Sequence, residues 1–108
     1  MAMLPNSSIV WTQGGARYIY VLRDDALSPG VPPNLDEPAG TMWRVQVPYS
    51  GAAVNSGTVK YGVVPEGFVQ WAPAMNGPAP ALESGKKYYL YVLADIVRPN
   101  TRCLFTAP

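Results

Sequence analysis

Few residues of this chain have side chains that could carry out catalysis. The 108 residues include no His, which removes the imidazole base of Ser-His and Cys-His nucleophiles and the commonest transition-metal ligand. The single thiol, Cys103, therefore has no His partner. Its apolar neighbours on a C-terminal strand favour an inert buried residue over a reactive thiol.

Carboxylates are the remaining candidates for chemistry. The paired acids Asp24-Asp25 and Asp36-Glu37 match no calcium-loop spacing, so solvated loop acids are favoured over a weak Ca²⁺ site. A carboxylate enzyme would require Asp95 and Glu66 to meet in one cleft. No glycine motif for phosphate binding is present. We therefore expect no enzyme, no metal site and no cofactor.

The charge balance limits the classes of partner. Eight Lys and Arg against seven Asp and Glu give a formal net charge of +1, whereas nucleic acid or an anionic membrane surface calls for a basic patch. No apolar run approaches the roughly 20 residues that span a bilayer. We expect neither a nucleic-acid partner nor a membrane span.

The start of the chain leaves two interpretations open. The first residues lack the basic and apolar regions of a signal peptide. Residues 1–7 are expected to be a vector-derived sequence or a flexible N-terminus, and Met1-Ala2-Met3 is either a native cytosolic start or a vector-derived sequence. The second is favoured. A small, aromatic-rich and Pro-rich domain is common outside the cytosol, so a periplasmic or envelope location is favoured over a cytoplasmic one, and Cys103 does not decide between them.

The distribution of Pro and Gly predicts the fold class. Twelve Pro and ten Gly cut the chain into pieces too short for helices, and these pieces alternate in polarity with period two. A length of 108 residues supports a single domain, residues 1–108. We predict an all-β domain, an antiparallel β-sandwich of about seven strands.

Three connections can be predicted from turn residues. Ser8–Thr12 and Ala16–Arg23 flank Gly14-Gly15, which favours a hairpin. The segment Asp24–Gly40 contains four Pro and four acids and is expected to be a long loop. A crossover between sheets is favoured for it over a binding segment. Thr101–Thr106 is expected to pair with the preceding strand across Arg98–Asn100.

The stretch LESGKKYYLYVLAD resembles a known structural motif. Leu82, Gly85, Tyr88 and Val92 stand at relative positions 0, +3, +6 and +10. This spacing resembles the tyrosine corner of fibronectin type III and related immunoglobulin-like domains, in which a Tyr opening the penultimate strand bonds back to the preceding turn. The family usually has Pro where this chain has Ser84. The resemblance implies an immunoglobulin-like β-sandwich.

Two further resemblances concern the core and the location. Trp43 lies on a plausible central strand, on the same face as Val45 and Val47, and is expected in the core. The stretches VKYGVVPEGFVQWAPA and LESGKKYYLYV resemble small immunoglobulin-like domains of bacterial envelope proteins, including lipoproteins.

Tyrosines are the candidates for a binding surface. If Tyr88 faces the core, period two turns its neighbours outward, and two predicted strands then carry tyrosine pairs on the outer side: Tyr18 and Tyr20, and Tyr89 and Tyr91. We expect these rings to be exposed and to mark an interaction site. The alternatives are ordinary surface tyrosines, or rings covered by a second sheet edge or by the segment 24–40.

Two functional hypotheses follow from the sequence. The first is a non-catalytic binding or structural module that contacts a protein partner, or a second copy of itself, in a bacterial envelope. The second is a carbohydrate-binding accessory domain in which Trp11, Trp71 or the tyrosine pairs stack on sugar rings.

Overall fold

The computed structural model describes residues 2–11, 14–25, 40–48, 51–73, 77–95 and 98–108. These residues form eight strands and no helix, and hence no helix of the length and apolarity needed to cross a membrane. The strands are β1 (Ala2–Met3), β2 (Ser8–Val10), β3 (Tyr18–Arg23), β4 (Thr41–Gln46), β5 (Val59–Lys60), β6 (Val69–Ala72), β7 (Lys87–Asp95) and β8 (Arg98–Thr106).

The strands form two antiparallel sheets. The small sheet has the order β1-β2-β5, and the large sheet has the order β6-β4-β3-β7-β8. The predicted all-β, antiparallel class is confirmed. The predicted pairing of the last two strands is confirmed as well, because Tyr88 of β7 lies opposite Phe105 of β8. The expected connection at Arg98–Asn100 is wrong, because these residues are the beginning of β8.

Both sheets contribute to one hydrophobic core, as in a β-sandwich. Ile9 and Val59 of the small sheet belong to the same buried cluster as Ile19, Trp43 and Leu90 of the large sheet. Alternation explains this composition, because every second residue of a strand points to the same face. The inward-facing assignments of the sequence are therefore confirmed for β4 and β7.

The predicted hairpin at Gly14-Gly15 is wrong. β2 pairs with β1 and β5, whereas β3 pairs with β4 and β7, so this connection carries the chain from one sheet to the other. Trp11 is buried in the core between the two strands, and its indole Nε1 donates a hydrogen bond to the Gly14 carbonyl (2.7 Å). Gly14 has φ +95°, the region that favours glycine. The chain therefore does bend at Gly14, but the strands on either side of the bend belong to different sheets.

The beginning of the chain is part of the fold. Met3 pairs with Ile9 and is buried against the core. The Ser7 carbonyl then accepts a hydrogen bond from the Tyr61 amide (3.0 Å). Met3 and Ser7 therefore connect the start of the chain to the core and to the residue that follows β5.

Trp43 is fully buried and anchors the connection between β6 and β7. Its indole Nε1 donates to the Gln70 side-chain Oε1 (2.8 Å), and Gln70 Nε2 donates to the Gly77 carbonyl (2.6 Å). Because Gln70 is itself buried, this chain of bonds satisfies polar atoms that would otherwise be costly to bury.

Two tyrosines hold the turn that precedes β7. The Tyr88 hydroxyl accepts a hydrogen bond from the Glu83 amide (3.0 Å), as the spacing predicts. On the other side, the Tyr61 hydroxyl donates to the Pro80 carbonyl (2.6 Å). Gly85 has φ +83° within the turn closed by the bond from Lys86 N–H to the Glu83 carbonyl. The segment 80–83 is thus hydrogen-bonded to one side chain that precedes it in the chain, Tyr61, and to one that follows it, Tyr88.

We predict that Tyr88→Phe lowers the free energy of unfolding by about 1 to 2 kcal/mol, because the Glu83 amide loses its acceptor while the ring packing is kept. Urea denaturation measures this change. Tyr18→Phe is the matched control, since the Tyr18 ring is half-buried and makes no hydrogen bond to the described residues; its change should stay within about 0.5 kcal/mol. Equal losses at both positions would show that the corner bond does not stabilise the fold.

The second prediction concerns stability at high pH. Burial raises the pKa of the Tyr61 hydroxyl well above its usual value of 10.0, with a smaller contribution from Tyr88. Above pH 10 the unfolded chain therefore binds fewer protons at this residue than the folded chain, and the free energy of unfolding falls as the pH rises.

Tyr61→Phe should reduce this alkaline decline. The variant is expected to be less stable than wild type below pH 9, because the bond to Pro80 is lost, and the difference should shrink above pH 10. Urea denaturation at a series of pH values measures both curves. Parallel curves up to pH 12 would contradict the assignment.

Candidate functional site: the outer face of the large sheet

The outer face of the large sheet is the side directed away from the shared core. The strand register places the side chains of this face in rows across the sheet, since directly paired residues point to the same side. One row contains Gln46, Tyr18 and Leu93, and the next contains Arg44, Tyr20 and Tyr91. The four tyrosines predicted for this face do lie on it.

The expected exposure of these tyrosines is wrong for two of them. Tyr20 is 0% exposed and Tyr91 is 7% exposed, and they form a second buried cluster with Leu22 and Leu93. The rings of Tyr20 and Tyr91 meet edge to face with centroids 6.1 Å apart. Tyr18 and Tyr89 are half-buried and pack against this cluster. Alternation gave the side of the sheet correctly but could not show that this side is also covered.

Arg44 is a buried cation in this face. It is 3% exposed, and its guanidinium carbon lies 5.2 Å from the Tyr20 ring centroid and 5.3 Å from the Trp71 ring centroid. Its Nη2 donates to the Gln46 side-chain Oε1 (2.9 Å). Ring faces carry negative charge density and attract a cation placed over them. Arg44 is therefore in contact with both Gln46 and Trp71.

Trp71 lies on the edge strand β6, next to Arg44. Arg44 pairs with Ala72 and Val45 pairs with Gln70, so Trp71 is an extra residue on β6, a β-bulge. The Trp71 side chain is 47% exposed. Bulges are frequent at sheet edges beside functional sites, where they redirect a side chain.

Trp71 is exposed, whereas the other two tryptophans are not. Trp11 and Trp43 are both buried and hydrogen-bonded within the fold, so Trp11 offers no ring for stacking. Of the Trp residues named as sugar contacts from the sequence, Trp71 is the one that is accessible. Its exposure follows from its place on an edge strand, which alternation does not reveal.

Exposed apolar side chains also occur elsewhere on the described surface. Leu104 on β8, the opposite edge of the large sheet, is 43% exposed and shares the outer face, since it lies opposite Tyr89. Leu4, between β1 and β2, and Val63 and Val64, between β5 and β6, are also exposed. Leu104 provides a matched comparison for Trp71.

The carboxylates considered from the sequence are not brought together where the structure describes them. Asp25 binds the Arg23 Nε at 3.2 Å on an exposed surface, and Glu66 is exposed. The described residues contain no group of three or more His, Cys, Asp or Glu side chains that could hold a metal ion. Asp36-Glu37, most of the segment 24–40, and the Asp95 side chain lie outside the described part.

Cys103 lies on β8, half-buried beside the shared core. Burial raises the pKa of its thiol above the usual value of 9.0, and a smaller lowering effect of the chain's amino terminus opposes this. Because the thiolate is the nucleophilic form, we expect Cys103 to react slowly near neutral pH.

Comparison of the chain with known protein families, with curated proteins and with solved structures gives no match.

We predict that iodoacetamide alkylates Cys103 at pH 8 roughly tenfold or more slowly in the folded protein than in the unfolded chain, because the raised pKa and partial burial reduce the accessible thiolate. Mass spectrometry of timed samples, with and without urea at the same pH, measures both rates. A folded-state rate equal to the unfolded one would identify Cys103 as a reactive thiol.

Proposed function

We propose that this chain is a non-catalytic β-sandwich module that acts by surface contact with another macromolecule. The lack of His removes the common nucleophile and base pairs from its chemistry. The exposed Trp71 ring, fixed in place by a buried cation, carries the proposal. Aromatic side chains of this kind contribute most of the binding energy at many interfaces, because a large ring is desolvated at a small entropic cost.

An immunoglobulin-like architecture is part of the proposal and is supported by the strand order. In immunoglobulin domains strands A, B and E share one sheet, while C′, C, F and G share the other. The order β1-β2-β5 corresponds to the first set, and β4-β3-β7-β8 corresponds to the second. The Tyr88 bond to Glu83 occupies the position of a tyrosine corner. In this correspondence β6 is an additional edge strand, and it carries Trp71.

The setting proposed for this module is a bacterial envelope, where it would contact a protein partner or a second copy of the chain. The resemblance of the stretches around Val59 and Leu82 to small envelope domains supports this setting. The near-neutral net charge of +1 favours contacts made by apolar and aromatic side chains over electrostatic attraction.

We predict that Trp71→Ser weakens partner binding roughly tenfold or more, since removal of a central interface Trp commonly costs about 2 kcal/mol or more. Immobilised protein is incubated with a native extract, and the retained material is quantified; sedimentation measures self-association in parallel. Leu104→Ser is the control, because Leu104 has similar exposure on the opposite edge. Identical retained material and identical mass for wild type and Trp71→Ser would contradict the proposal.

A further inference from the structure

The indole of Trp71 is accessible although a cation lies over it. The Arg44 guanidinium carbon is 5.3 Å from the ring centroid, and 47% of the residue is exposed. Arg44 is itself in contact with Tyr20 and Gln46. These contacts limit the movement of the exposed ring, which lowers the entropic cost of binding a flat ligand.

We define the Trp71 surface by four uncharged, described residues of the outer face: Val69 and Trp71 of β6, Gln46 of β4 and Tyr18 of β3. The register pairs Gln46 with both Val69 and Tyr18. Val69, Gln46 and Tyr18 are half-buried, and none of the four carries a formal charge. The Arg44 cation beneath them is buried. An anionic ligand would thus find no accessible positive charge among these four described residues.

The edge itself is poorly suited to pairing with another strand. β6 has four residues, with the bulge at Trp71 in the middle, and short or bulged edges disrupt the ladder that an added strand would need. Recognition at this edge must therefore rely on side chains rather than on backbone hydrogen bonds.

Two polar side chains of this surface, Gln46 and Tyr18, can recognise hydroxyl groups. Gln46 Oε1 accepts from Arg44 Nη2 (2.9 Å), which orients the amide, and its NH₂ donates to none of the described residues. The Tyr18 hydroxyl likewise has no partner among the described residues and can both donate and accept. Neighbouring strands are about 4.8 Å apart, so the row from Val69 to Tyr18 spans about 10 Å.

We infer that the Trp71 surface binds a neutral oligosaccharide, an inference that rests on the proposed surface-contact function. The C–H groups on one side of a sugar ring carry partial positive charge and pack on the negative face of an aromatic ring. The Gln46 amide and the Tyr18 hydroxyl then pair with sugar hydroxyls. A few placed polar groups beside an apolar platform are typical of small-ligand sites.

The test uses cellohexaose and chitohexaose as neutral probes and hexagalacturonate as an anionic one. Isothermal titration calorimetry should give a Kd of about 0.1 to 1 mM for at least one neutral probe. It should give no binding of the anionic probe. Bound sugar should also reduce the quenching of Trp fluorescence by acrylamide, because Trp71 is the accessible tryptophan among the three.

Substitutions distinguish direct contact between the Trp71 ring and the sugar from a general loss of the fold. Trp71→Ala should weaken binding of the neutral probe at least tenfold, and Gln46→Ala should weaken it by a smaller factor. Leu104→Ala should leave it unchanged. Circular dichroism of each variant checks that the fold is kept, and Trp71→Phe, which retains a smaller ring, should recover part of the affinity.

Three outcomes overturn the inference: no neutral probe binds, binding survives Trp71→Ala, or the anionic probe binds as well as the neutral ones. Failure of the sugar inference is distinguishable from failure of the proposed function. If no sugar binds while Trp71→Ser still loses a partner from the extract, the surface contact stands and the ligand is a protein. If no sugar binds and Trp71→Ser also retains the same partners as wild type, both the sugar inference and the proposed surface-contact function are wrong.

Discussion

Burial of both faces of the large sheet is the constraint on which the rest of this structure depends. One face carries Ile19 and Leu90 into the core shared with the small sheet, and the other carries Tyr20 and Leu93 into a second cluster. A strand with both faces buried must be apolar along its whole length. This accounts for the YIYVL and YYLYVL runs of β3 and β7, which occupy the middle of the sheet. The water-accessible positions of the large sheet are consequently concentrated at its edges, where Trp71 and Leu104 lie.

The connection between β6 and β7 shows how an irregular segment is held over such a core. Ala79 and Leu82 of this connection pack against the core, and polar groups also hold it: Gln70 donates to the Gly77 carbonyl, Tyr61 donates to the Pro80 carbonyl and Tyr88 accepts from the Glu83 amide. Each of these bonds satisfies a backbone group that irregular structure leaves without a ladder partner. The same bonds tie β6 to the core through Gln70, and thereby help to fix the edge that carries Trp71.

Features that depend on local periodicity, such as which side of a sheet a residue faces, could be predicted from the sequence. Strand pairing and the burial of a sheet face could not, because they depend on residues far apart in the chain. Alternation placed Tyr88 and Trp43 inward, and the spacing from Leu82 to Tyr88 predicted the corner bond. The hairpin at Gly14-Gly15 was wrong because a glycine turn permits a change of direction without specifying which strands then pair. The exposure of Tyr20 and Tyr91 was wrong because period two gives the side of a sheet, while a covering layer on that side depends on distant parts of the chain.

Arg44 is the residue whose role sequence reasoning missed, and it links the fold to the proposed site. A lone Arg between apolar residues of a strand suggests a solvated face, yet this guanidinium is buried between two rings and bonded to Gln46. A buried cation is costly unless its surroundings compensate the lost hydration. The Tyr20 and Trp71 rings and the Gln46 side-chain Oε1 supply part of that compensation, while the buried Arg44 Nε has no hydrogen-bond partner among the described residues. The contact with Arg44 thus links the exposed Trp71 at the sheet edge to the buried cluster around Tyr20.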